Sequence, residues 1–208
     1  MKKERKKSKT AIYDWLYSSY GQRYCKYLPY KQYYRKKRKK KKTKKILIPF
    51  RVNISKRKTL TKCDYEGDTV VSKRSKTALV VLHNPKTMYG DICQIKNMKP
   101  HTVFLAFKEM ISKVKVRSIT FDNGQENRLY MNLKIKTYFC DPHAPWQKPG
   151  VENMNRFIRK YIPKKSDISK YSEKEISSIV NKYNDTPRKK LHWKTPNEVM
   201  ELYKLFRN

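Results

Sequence analysis

Acidic residues are scarce in this chain. Its 208 residues include 17 Asp and Glu against 52 Lys and Arg, a formal net charge of +35. A compact chain so charged repels itself, and a polyanion relieves that repulsion, so nucleic acid is the expected partner. A bias toward Lys alone would also tend to raise Glu, and Glu is not abundant here. Cysteine is sparse too. Cys25, Cys63, Cys93 and Cys140 form no C-x-x-C pair, and no His stands at zinc spacing from them. That pattern excludes a structural zinc and a disulfide framework, and leaves free thiols in a reducing cytoplasm as the expectation. No apolar run approaches the roughly 20 residues a membrane span needs. The basic start Met1-Lys2-Lys3-Glu4-Arg5 lacks a following apolar stretch, so no secretory signal is expected.

What is present divides the chain by composition. Residues 1–60 are basic and aromatic. Ser8 can cap a short helix whose Ile12, Trp15 and Leu16 fall at i, i+3 and i+4. A run from Arg35 through Lys36, Lys37, Arg38, Lys39 and Lys40 to Lys42 can bury nothing. With Tyr27, Tyr30, Tyr33 and Tyr34 interleaving stacking faces with charge, it reads as a phosphate-tracking linker. The expected domains are a helical DNA-binding remnant over 1–30, a basic linker over 31–60, and a catalytic core with C-terminal helices over 61–208.

The globular part alternates in period. Thr69-Val70-Val71 and residues 77–82 predict two antiparallel strands joined by a polar turn. Residues 91–95 predict a third strand, 101–115 an amphipathic helix, 116–121 and 135–140 two more strands. A loop with three prolines follows over 141–150, then a helix over 151–161 stopped by Pro163. Ser172 and Glu175 form a capping box before another helix, and Pro196 opens a last one. Three meandering strands followed by alternating helices and strands describe an α/β, ribonuclease-H-like mixed sheet flanked by helices.

The scarce acids fall at telling places. Asp68 lies on the first strand, Asp122 ends the fourth, and Glu152 opens the helix after the fifth. Two-metal phosphoryl transfer needs a few carboxylates on rigid elements meeting at one sheet edge, because Mg²⁺ takes hard oxygen ligands. Asp64, Glu66 and Asp68 share one strand face, and spacing alone does not choose among them. Glu126 and Asp141 are alternatives for the later ligands. Taking about 100° per residue, Met154, Phe157, Ile158 and Tyr161 form the buried stripe of the 151–161 helix. Glu152, Arg156 and Arg159 then gather opposite, with Asn155 at the margin, as a metal ligand beside phosphate-contacting groups would. His143, in the loop, reads as a surface or DNA-contact residue. Trp146 with Gln147 reads equally as core packing or a base-stacking wedge, and Lys148 as a further DNA contact.

Several phrases together resemble bacterial insertion-sequence transposases of the IS-thirty family. They are Tyr65-Glu66-Gly67-Asp68, Thr120-Phe121-Asp122-Asn123-Gly124, Tyr138-Phe139-Cys140-Asp141-Pro142, Pro145-Trp146-Gln147, Glu152-Asn153-Met154-Asn155 and Thr195-Pro196-Asn197-Glu198. Gly150-Val151-Glu152 also resembles the matching stretch of retroviral integrases. The resemblance implies an integrase catalytic core with Asp68, Asp122 and Glu152 as the catalytic, metal-binding triad. It implies two Mg²⁺ (or Mn²⁺) ions, DNA at element ends and target, a homo-oligomer on paired ends, and a nucleoid-associated place in a bacterial cytoplasm. Residues 10–17 look like only the last part of the family's helix-turn-helix region, so an N-terminal truncation is expected. A remnant that only binds DNA is the alternative reading. Pro149 and Arg156 stand where family members usually carry Gly.

Overall fold

The computed structural model describes residues 8–28, 48–142 and 144–207. It divides into two compact units, residues 1–45 and 46–208. In the first unit, helix α1 (Lys9–Leu16) is capped by Ser8, whose hydroxyl accepts from the Ala11 amide at 3.2 Å. Its apolar stripe is only partly covered among the described residues: Ile12 and Trp15 are about half exposed. A 3₁₀ turn (Gln22–Tyr27) buries Cys25, whose thiol donates to the Leu16 carbonyl. The basic run with Lys36 to Lys40, Tyr30, Tyr33 and Tyr34 lies outside the described residues, and so does His143.

In the second unit, five strands form one sheet. They are β1 (Asp64–Val71), β2 (Ala78–His83), β3 (Gly90–Ile95), β4 (Ser118–Phe121) and β5 (Lys136–Phe139), in the order β3-β2-β1-β4-β5. The first three pair antiparallel, and β4 and β5 add in parallel. Helix α2 (Pro100–Ser112) makes the crossover that a parallel β4 requires. Between β4 and β5 the chain forms a 3₁₀ stretch (Gln125–Leu133) where the element order had allowed an α-helix. It ends at Lys134 in the left-handed region. Helices α3 (Pro149–Tyr161), α4 (Glu173–Asn184) and α5 (Pro196–Leu202) complete the unit. The sequence-expected capping box forms at Ser172/Glu175, and α5, opened by Pro196 as expected, carries a second one at Thr195/Glu198.

Every residue of β2 is buried, and its alternation feeds two cores. Ala78, Val80 and Leu82 join Phe107, Met110, Phe121 and Phe139 on one face. Leu79 and Val81 join Val151, Met154, Ile158, Ile176 and Tyr183 on the other. Burying each Val or Leu side chain contributes about 1.5–3 kcal/mol, so this central strand anchors both layers. The stripe of α3 differs from the expected one. Val151, Met154 and Ile158 are buried, Phe157 is half-buried, and Tyr161 is exposed. The helix is turned so that Val151 faces inward and Tyr161 packs along Phe157 at the rim.

The described part of the segment read as a linker, 48–60, packs on the sheet. Ile48 is buried in the core, and Asn53 bridges Phe139 in parallel at the outer edge of β5. The Phe139 amide donates to the Val52 carbonyl at 2.8 Å.

Gly67 faces the aromatic core. A Cβ there would lie 2.4 Å from Phe121 Cε1 and 3.0 Å from Phe107 Cζ. Overpacking of this kind costs about 1–3 kcal/mol. Gly67→Ala is therefore expected to lose that much in urea unfolding, and an unchanged midpoint would show that the rings yield freely.

His83, at the end of β2, is buried, with Nε2 3.1 Å from the Tyr183 hydroxyl. Burial depresses its pKa from 6.5 to about 3, aided by Arg188 and Lys190. The folded state thus binds fewer protons at this site than the unfolded state across that interval. The stability held above about pH 6.5 drains as pH falls toward the folded value. His83→Gln is expected to flatten the fall in thermal midpoint below pH 6.5 relative to the parent, and parallel profiles for the two would contradict this.

Candidate active site

Three acids share one face of β1, and each meets a different fate. Asp64 is fully buried and accepts from Arg117 Nε (3.0 Å) and Nη2 (2.8 Å), Ser118 Oγ (2.6 Å) and the Thr61 amide and hydroxyl. Burial pushes its pKa up, but these donors outweigh that and hold it below the ordinary value. It is a structural tie between β1 and β4. Glu66 is also buried and accepts the Val151 amide at 2.7 Å. Burial raises its pKa, opposed by that amide and by the nearby Lys148 and Arg57. Asp68 alone of the three is partly open, with 24% of its side chain exposed.

The parallel register pairs Asp64 with Ser118, Tyr65 with Ile119 and Glu66 with Thr120. Two residues further along both strands stand Asp68 and Asp122. Continuing that register puts them level on neighbours about 5 Å apart. Asp68 Oδ2 accepts from Asn155 Nδ2 at 2.6 Å, and its Oδ1 lies 3.5 Å from Lys148 Nζ. Asp122 Oδ1 accepts from the Gly124 amide and Asn127 Nδ2. Its Oδ2 meets no donor among the described residues. Glu126 is half-buried on the same rim, and its pKa is raised by burial first, then by Asp122 and Asp68. Asp141 is exposed and held low by Gln147 and Asn53.

Glu152 is exposed in the first turn of α3, and Asn155 follows one turn later on the same side. Since Asn155 reaches Asp68, Glu152 belongs to the face of α3 that borders this sheet edge. Its carboxylate is not drawn in: among the described residues no three His, Cys, Asp or Glu side chains cluster as a metal cage. Carboxylates brought together repel. Asp68 is compensated by Lys148 and Asn155, while Glu152 projects outward. The donor set of Asp68, Asp122 and Glu152 is all carboxylate oxygen, which suits a hard divalent cation such as Mg²⁺.

The other candidate contacts separate into two groups. Trp146 is 72% exposed in the 3₁₀ turn Pro145–Gln147, so it is no core residue, and Arg156 is exposed on α3. The rest are engaged within the protein. Gln147 bonds the Asp141 amide and carboxylate. Asn155 holds Asp68, and Arg159 donates to the carbonyls of Val71 and Ile162. Lys148, read from sequence as a DNA contact, is buried and donates to the Gly67 carbonyl at 3.0 Å. No local pattern marks it as buried, because its partners lie on β1. Pro149 occupies the first position of α3, where a missing N–H costs nothing.

Removing the Lys148 ammonium leaves a buried carbonyl and Asp68 without their cation. Lys148→Met is expected to lower stability by about 1–3 kcal/mol in chemical denaturation, and no loss would mean that this ammonium is effectively solvated.

No protein-family model matches the chain. The transposase for insertion sequence element IS4351 of Bacteroides fragilis is 34% identical over 204 residues, covering 92% of this chain and 63% of that protein. The transposase InsI for insertion sequence element IS30A of Escherichia coli (strain K12) is 33% identical over 157 residues, covering 72% of this chain and 40% of that protein. The chain thus spans less than two thirds of the length of these curated relatives. Among solved structures, the catalytic core domain of BIV integrase superposes with a TM-score of 0.52 at 16% identity, over 69% of this chain and 97% of that one. The HTLV-2 integrase catalytic core domain, solved in complex with magnesium in a trimeric form, gives 0.51 at 21% identity, over 67% and 97%. The fold is that of the integrase catalytic cores, the ribonuclease-H-like architecture expected from the element order.

Proposed function

We propose that this chain, similar to insertion-sequence transposases of the IS30 kind, catalyses metal-dependent cleavage and strand transfer of DNA in transposition. The observation that carries this reading is the parallel β1–β4 register, paired as far as Glu66 with Thr120, whose continuation by two residues brings Asp68 level with Asp122 beside the helix bearing Glu152. In this reading the three carboxylates hold two Mg²⁺ or Mn²⁺ ions. Such ions, when bound, activate the attacking oxygen and stabilise the leaving oxygen of the phosphodiester.

The chain's own residues supply placement. Asn155 and Lys148 fix the Asp68 carboxylate, and Asn127 and the Gly124 amide fix Asp122. Arg156, one turn beyond Glu152, offers a cation to a backbone phosphate beside the reacting one. Trp146 offers an exposed ring for a base unstacked near the cut. Lys36, Lys37, Arg38, Lys39 and Lys40 supply a sequence-independent grip on DNA. The protein works as a homo-oligomer on paired element ends, associated with the bacterial nucleoid. Among the described residues no helix is long and apolar enough to cross a membrane.

The test is incubation with element-end DNA and Mg²⁺ or Mn²⁺. Nicks at the terminus are expected from the parent and only background from Asp122→Ala. DNA binding without cleavage by the parent, or equal cleavage by the variant, would refute the catalytic reading and leave a DNA-binding remnant. Neutralising residues 36–40 is expected to weaken binding evenly across sequences. Each lost phosphate contact should flatten the slope of log affinity against log salt by about 0.9. An unchanged slope would remove that segment from the interface.

A further inference from the structure

Helix α3 starts without a local cap. Lys148, at the N-cap, makes no side-chain capping bond, and Pro149 has no N–H to offer. The next amides, of Gly150 and Val151, would be orphaned inside the protein, and helix starts are not left so. Their acceptor comes from a different element. Glu66, on β1, takes the Val151 amide at 2.7 Å and also engages the Gly150 backbone. Glu66 is 3% exposed, and a carboxylate at a helix N-terminus also meets the positive end of the helix dipole.

The space around this contact is closed. A Cβ on Gly150 would lie 2.6 Å from His83 Nδ1 and 2.9 Å from Glu66 Oε2. His83 is itself held by Tyr183 of α4, so the floor beneath Gly150 cannot simply retreat. Only a glycine lets the helix start settle this near β1. A second tie joins the same two segments, from Lys148 Nζ to the Gly67 carbonyl at 3.0 Å.

Glu66 thus sits at a junction. Two residues along the same strand face stands Asp68, and one residue beyond its amide partner stands Glu152. On the proposed reading of those acids as metal ligands, we propose that Glu66 is a positioning residue: its buried carboxylate clamps the start of α3 to β1 and so fixes the separation of Asp68 from Glu152, with Gly150 as the contact surface. It touches neither DNA nor the ions. A misplacement of about 1 Å at a reacting centre can cost on the order of 10²-fold in rate, so such a clamp has catalytic leverage.

Three variants test it: Glu66→Met, which has no acceptor; Glu66→Gln, which keeps one; and Gly150→Ala, which pushes the helix away with Glu66 intact. The readouts are single-turnover cleavage of element-end DNA at saturating protein, the Mg²⁺ concentration for half-maximal rate, DNA affinity by anisotropy, and amide hydrogen exchange at the start of α3. Glu66→Met and Gly150→Ala are expected to slow cleavage on the order of 10²-fold. Both should raise the Mg²⁺ requirement and speed exchange at the start of α3, with DNA affinity unchanged. Glu66→Gln is expected to restore most of the rate. Unchanged rate and Mg²⁺ dependence in both disruptive variants would overturn the clamp. So would equal impairment of Glu66→Gln and Glu66→Met without faster exchange, since charge and not position would then matter. Cleavage failing in the parent would count against the transposase reading, and the exchange comparison still decides whether Glu66 holds the helix.

Discussion

The pairing of β1 with β4 is the constraint on which the rest of this structure depends. It joins the antiparallel meander to the parallel half of the sheet. Nothing local forces it, for the two strands lie far apart in sequence and β4 is only four residues long. The buried Asp64–Arg117–Ser118 cluster fastens it at one end, and burial of Tyr65, Ile119 and Phe121 fastens it along its length. Because side chains alternate, slipping this pairing by one residue would turn one strand over relative to the other and send its carboxylates from the α3 face into the aromatic core. The register therefore sets which face the acids occupy as well as holding the fold.

Within that frame a strongly cationic protein spends its few acids in distinct ways. Asp64 works as a buried anchor, and Glu66 receives helix amides. Asp68 and Asp122 are left facing an open edge, held by side-chain amide donors and, for Asp68, by the buried Lys148 ammonium. The distinction comes from their partners, since all three acids of β1 have the same spacing and the same strand face. Acid strength follows the partners as well: donors hold Asp64 low, while burial raises Glu66 and Glu126.

Much of the architecture was legible in the sequence. Strand and helix existence followed from periodicity, the Ser172/Glu175 capping box marked the start of α4, and Pro196 marked that of α5. The motif order pointed to the integrase-type core that the structure shows. What periodicity missed depended on distant contacts. The first strand begins at Asp64, ahead of its apolar body, because Arg117 lies 53 residues away and Val151 85 residues from Glu66. The stripe of α3 was misjudged at Tyr161, whose ring can sit at a rim as well as in a core. Lys148 looked like a surface cation because its partners, Gly67 and Asp68, are on another element. The segment between β4 and β5 is 3₁₀ and kinked at Leu129, yet it buries Tyr130 and Leu133 in the core, a bend that no periodicity marks.

The short contact at residues 52–53 has a consequence for assembly. An edge strand presents a row of unpaired backbone groups that can template a neighbouring chain. Here the Val52 carbonyl and Asn53 occupy part of that row on β5, the outermost strand of the parallel half. The sheet is therefore stoppered by its own chain on that flank. Any association between copies is steered away from joining sheets there and toward side-chain surfaces, whose contacts are more readily made and released.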